Sequence, residues 1–210
     1  MSDAQIPQIE TLSRIASRVL RLPFALRAGA PDFPAVRAVQ RHWESLRGAR
    51  VAPARAEIDP RPLADCLDVL FVAELVAPGV ARLRLTGQHL SDLLGMEPRG
   101  MPLSVFFTGA GRDELSQALQ QVAQGARVTL PLRAETGLGQ PGLDGMLALM
   151  PLTDRDGRIS RVLGALETLG PVGRTPRRFR TTAPVQRIGG PAMPCALPGQ
   201  PFRVIDGGRT

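Results

Sequence analysis

The sequence predicts an α+β domain, a five-stranded antiparallel sheet in the order 2-1-5-4-3 with helices on one face and N-terminal helices flanking it. Three observations carry this. Across residues 146–169, two apolar runs, MLALM and VLGAL, flank the polar turn TDRDGR, the pattern of a β-hairpin. Neither arm alternates, so both faces of both strands need cover, which only the centre of a larger sheet provides. Two further strand-like segments, Val80–Thr86 and Arg127–Ala134, alternate apolar with polar residues, as strands at a sheet edge do.

In chain order, apolar residues at Ile9, Leu12, Ile15, Ala16, Val19 and Leu22 fall at helical spacing, with Arg14, Arg18 and Arg21 opposite. This basic amphipathic helix is read as a packing element with a solvated arginine face; a membrane-surface or targeting helix is the alternative. Pro31 and Pro34 precede a second helix over residues 35–47, in which Trp43, the single tryptophan, shares a face with Val36, Val39 and Leu46 and is expected to anchor the helix to the domain. Gly48 can stop it. Asp59 before Pro60 signals a short helix or turn. Residues 69–76 are a nearly unbroken apolar strand, followed by a Pro-Gly turn and the second strand. A short helix over Gln88–Leu94, an irregular stretch over 97–107 and a clearer helix over 112–124 come next. In the third strand Pro131 has no N–H to give a ladder, which assigns that strand to an edge. Pairing the first strand with the last leaves the half-polar strands outermost.

All 26 basic residues are arginine, and the net charge of +7 is unevenly spread. Residues 1–50 carry +4, residues 51–170 carry −3 and residues 171–210 carry +6. The organisation this suggests is a basic extension over 1–34, a flanking helix and connector over 35–66, a sheet domain over 67–170 and an Arg/Pro/Gly-rich tail over 171–210. The tail is expected to be mainly solvated, although its closing FRVID suits a short strand. No apolar run approaches the roughly 20 residues that span a bilayer, and the first residues lack a secretory layout, so a cytoplasmic location is expected. Cys66 and Cys195 are too far apart in sequence to suggest a disulfide framework or a zinc site.

No Ser-His-Asp order, GxGxxG after a strand or HExxH occurs, and no enzyme is expected. Asp154 and Asp156, beside Gly157, read as turn formers rather than a carboxylate pair. His89 lies earlier than a haem-ligating histidine is expected, and neither cysteine sits in a flavin-photochemical motif, so haem and flavin are not expected.

The element order, with PLTDRDGRISRVLGALETL as closing hairpin and LTGQHLSDLLG as the turn into the first covering helix, resembles the PAS domain over residues 67–169. RHWESLRG followed by PARAEIDP looks more narrowly like the start of a stand-alone PAS family common in alphaproteobacteria. The resemblance implies a sensory or regulatory module that binds a small molecule or a protein partner. Leu83, Leu94, Phe106 and Met150 are the candidate lining of a pocket between sheet and helices. Leu12, Ile15, Val19 and Trp43 are the candidate interaction surface for a protein partner or a second copy of the chain. Nucleic-acid or anionic-membrane contact through the basic termini is a third reading.

Overall fold

The central hairpin forms as its turn chemistry dictates. A computed structural model describes residues 31–183 and 186–188. In it Asp154 Oδ1 accepts the backbone N–H groups of Asp156 (3.0 Å) and Arg158 (2.9 Å), while Gly157 takes φ +77°. The arms are Asp144–Thr153 and Ile159–Leu169, paired in register from Asp144 opposite Leu169 to Leu152 opposite Arg161.

The helices and strands, numbered in chain order, are α1 (Pro34–Arg47), β1 (Leu70–Ala77), β2 (Val80–Thr86), α2 (Gln88–Leu94), α3 (Gly109–Ala123), β3 (Arg127–Ala134), β4 (Asp144–Thr153), β5 (Ile159–Leu169), β6 (Phe179–Thr181) and β7 (Gln186–Ile188). Short 3-10 helices lie at Arg61–Val69 and Leu103–Phe106. The strand order is β2-β1-β5-β4-β3-β6, with β7 also on β3, so the expected 2-1-5-4-3 arrangement is present and is extended by the tail. Observed bounds differ from expectation mainly at α3, which begins three residues before the predicted start at 112.

Period-two geometry divides the apolar arms between two cores. Leu147, Leu149, Val162 and Leu166 join Phe71, Leu83, Phe106 and the α2 and α3 leucines on the inner face. Ala148, Met150, Leu152, Leu163 and Ala165 join Val36, Val39, Trp43 and Leu63 on the outer face. The outer face, which the sequence leaves open to a partner, is therefore covered here by α1 and the 3-10 helix Arg61–Val69. Phe71 and Gly164 are cross-strand partners, and a Cβ at Gly164 would overlap the Phe71 ring. The glycine provides room for that ring to lie flat on the sheet.

Two expectations fail together. β3 is not an edge strand, because β6 pairs with residues 132–134 and β7 with residues 127–129. Pro131 falls in the gap between them, where the ladder asks for no N–H, and its carbonyl accepts the Thr182 N–H at 2.9 Å. Nor are residues 171–183 a solvated tail: Arg177 and Phe179 are both fully buried. The closing FRVID lies outside the described residues.

Gly164→Ala should destabilise the fold by about 1–3 kcal/mol through overpacking. Urea unfolding would check this, and Phe71→Leu in the same chain should restore part of the loss, because the two sites are in contact.

Candidate functional site: the back of the sheet and its covering helix

Helix α1 reaches its seat through its sequence pattern. Val36, Val39 and Trp43 lie on one stripe and are buried, while Arg37, Arg41 and Ser45 form the exposed stripe. Phe33 at the N-cap offers no side-chain acceptor. Instead Glu167, from the end of β5, accepts the Val36 N–H at 2.9 Å. A carboxylate at this position satisfies an otherwise unpaired donor and complements the helix dipole. At the other end the Trp43 indole donates to the Pro151 carbonyl at 2.8 Å. The guanidinium groups of Arg47 and Arg127 stand 5.8 and 5.6 Å from its ring centroid.

Two residues on the polar side of β3, Arg127 and Thr129, meet this same helix. Gln40 donates to the Thr129 hydroxyl at 3.0 Å, and Arg127 pairs with Glu44 at 3.0 Å. Glu44 also holds Arg47, and its carboxyl lies below the usual range, chiefly because of the Arg47 hydrogen bond, with burial opposing and the charge of Arg127 assisting. Alternation in β3 therefore records a helix–sheet contact, a meaning that strand periodicity alone does not convey.

The candidate pocket residues separate. Leu83, Leu94 and Phe106 come together in the inner core, all at most 5% exposed. Met150 points to the outer core, on the opposite side of the sheet, because β4 turns alternate residues to opposite faces. Trp43, expected both as an anchor and as part of an interaction surface, is 1% exposed; it serves the chain's own sheet and is not presented to a partner. Leu12, Ile15 and Val19 lie outside the described residues.

Beside the N-terminus of α1 is a polar cavity of about 720 Å³, lined by Asp65, Cys66, Asp68, His89, Asp92 and Glu167 among others. His89 is half-buried and its Nε2 is 3.0 Å from the Thr168 hydroxyl. Burial pushes the imidazole below its ordinary value against the opposing pull of Asp92 and Asp68. Cys66 is a free, buried thiol, raised first by burial and then by Asp65 and Glu167, which disfavours the reactive thiolate. No group of three or more His, Cys, Asp or Glu among the described residues is placed to hold a metal ion.

A second set of contacts was not foreseen. The Arg177 guanidinium donates to the carbonyls of Val172, Glu135 (3.1 Å) and Pro141 (2.6 Å), tying the β3–β4 loop to the tail. Burial lowers its pKa, with carbonyl dipoles rather than a carboxylate around it. In sequence it is one arginine in TPRRFR, and only the neighbouring Phe179 hints that this run enters the core.

Trp43→Phe, which keeps an aromatic ring but deletes the N–H and part of the buried ring volume, should cost about 1–3 kcal/mol, read from denaturant midpoints. His89 gives a pH signature. Well above its unfolded value of about 6.5 the imidazole is neutral in both states and its share of stability is intact. As pH falls through that value the unfolded chain takes up the proton first, so stability is lost until the folded imidazole also protonates. His89→Gln, which retains a partner for Thr168, should reduce the stability loss between about pH 6.5 and pH 5. Urea midpoints across that window would check it.

No helix among the described residues is long and apolar enough to cross a membrane. No curated protein matches the chain. Among the solved structures that resemble it distantly are the following two. One comes from a study of a flavin analogue in a light-oxygen-voltage domain, at 14% identity and TM-score 0.39, covering 52% of this chain and 83% of that one. The other is the dark structure of the blue-light photoreceptor Aureochrome1 LOV, at 13% identity and TM-score 0.40, covering 68% and 87%. Resemblances this distant do not extend to ligands. A family model described as PAS domain matches residues 31–167, more than half of the chain and the stretch from α1 to β5. The chain belongs to the PAS domain family of sensory and signalling modules.

Proposed function

We propose that this chain is a non-enzymatic sensory or regulatory protein of a bacterial signalling pathway, acting in the cytoplasm through protein contacts made from α1. The observation that carries this is the seating of α1. It is fastened at both ends to the central strands through Glu167 and Trp43, while Arg41 and Ser45 face outward. A shift of β4 or β5 is thereby transmitted to a surface that another protein can read. The non-enzymatic part of the reading rests on family membership. RHWESLRG, which lies in α1, and the PARAEIDP that follows support placement in the stand-alone alphaproteobacterial group.

The domain organisation proposed is an N-terminal extension, a sheet domain that includes α1 and continues to about residue 183, and the remaining tail. Contact of the basic termini with nucleic acid or anionic membrane rests on residues mostly outside those described. A small-molecule sensor is the second reading, favoured by the cavity considered below.

Light scattering after gel filtration, with capture from a bacterial lysate, tests the proposal. The full chain should form a dimer or retain a defined partner, and Arg41→Glu with Ser45→Arg should weaken either association without lowering the melting temperature. A strict monomer that captures nothing above background would rule it out.

A further inference from the structure

A cavity of about 390 Å³ opens on the outer face beside β1 and β2, away from the helix-covered inner core where a pocket was expected. Its walls come from Ile58 and Leu63 of the connector, Val72 of β1 and Leu163 of β5, with Leu67 and Leu85 at the rim. The inner walls are dry: Leu63 and Leu163 are 2% exposed and Val72 8%. The rim is not, since Leu67 and Leu85 are 43% and 51% exposed. The volume lies within the range of about 300–1,000 Å³ typical of small-molecule sites. Two leucines left in water at the mouth of an apolar recess are stabilised by any apolar body that covers them.

Arg55 supplies the second half of the chemistry. It lines the same cavity and is only partly exposed. Its neighbours in the connector are all engaged, Arg47 with Glu44, Arg50 with Glu57 and Arg61 with Asp59. Arg55 forms no ion pair or side-chain hydrogen bond with any described residue. The acid closest in sequence, Glu57, is occupied by Arg50 and by the Ala54 N–H at 2.6 Å. An apolar recess with one unpaired guanidinium matches a molecule that has an apolar body and one acidic head, because a carboxylate takes the two-pronged bond that arginine offers. Asp68 also lines the wall, and its like charge disfavours an acid head placed beside it.

We infer that this outer-face cavity binds a small organic acid with an apolar body, its carboxylate on Arg55 and its chain against Val72 and Leu163. The inference rests on the sensory reading but not on its partner. It gives that reading an input: a ligand here touches β1, β5 and the 3-10 helix Arg61–Val69, which packs in the same core as α1.

Isothermal titration calorimetry on the full chain with octanoate, 1-octanol and octylammonium tests it. Octanoate should bind one-to-one, about tenfold or more tighter than octanol, with octylammonium weakest. Arg55→Gln should reduce octanoate to the level of octanol and leave octanol unchanged. Leu85→Trp should block both, and Asp68→Asn should tighten octanoate. The Arg55 and Leu85 changes are at partly exposed positions, and thermal unfolding will verify that each variant is folded. The proposal is overturned if millimolar octanoate does not bind, if octanol binds as tightly, or if neither Arg55→Gln nor Leu85→Trp alters octanoate binding. Because none of these readouts involves a partner, failure here and failure of the protein-contact reading are distinguishable.

Discussion

The constraint from which the structure follows is that β4 and β5 are apolar on both faces. A strand pair of this kind cannot face water on either side, and burying each large side chain contributes on the order of 2 kcal/mol only if something dry lies against it. On the inner side α2, α3 and the 3-10 helix Leu103–Phe106 supply that surface. On the outer side α1 and the 3-10 helix Arg61–Val69 do. The proposed contact helix and the proposed ligand cavity both lie on the outer side, where the cover is held by a few identifiable bonds.

Those bonds tie the helix to the strands at two separate points. Glu167 is the last polar residue but one of β5, and Pro151 lies near the end of β4, so opposite ends of α1 report on different strands of one hairpin. Twisting the hairpin changes the two attachments differently. On the proposed reading, a perturbation of the sheet is passed on as a displacement of the helix, because packed interfaces move between discrete arrangements rather than deforming smoothly.

Much of this was legible in the sequence, for physical reasons specific to each element. TDRDGR names its own turn because Asp154 and Gly157 act locally, and the doubly apolar arms require a central position whatever lies elsewhere. Long-range contacts were not legible. Pro131 correctly signals a missing N–H, but a missing N–H fits a gap between two short strands as well as it fits an edge. Arg177 looks like one member of a basic run until the carbonyls of the distant Glu135 and Pro141, with that of Val172, converge on it. Met150 was assigned to the helix-covered pocket because a run of consecutive apolar residues does not say which of them faces which side. The Arg55 cavity is invisible in sequence, since it depends on which arginines of the connector find acids.

The central claim is that α1 is part of the folded core and not a loosely attached extension. Native-state hydrogen exchange of the full chain addresses it most directly. If the claim holds, amides within residues 38–47 exchange with protection approaching that of β4 and β5, and Trp43→Phe lowers the protection of the helix more than that of the strands. Exchange of α1 at rates close to those of an unstructured chain, with β4 and β5 still protected, would contradict it.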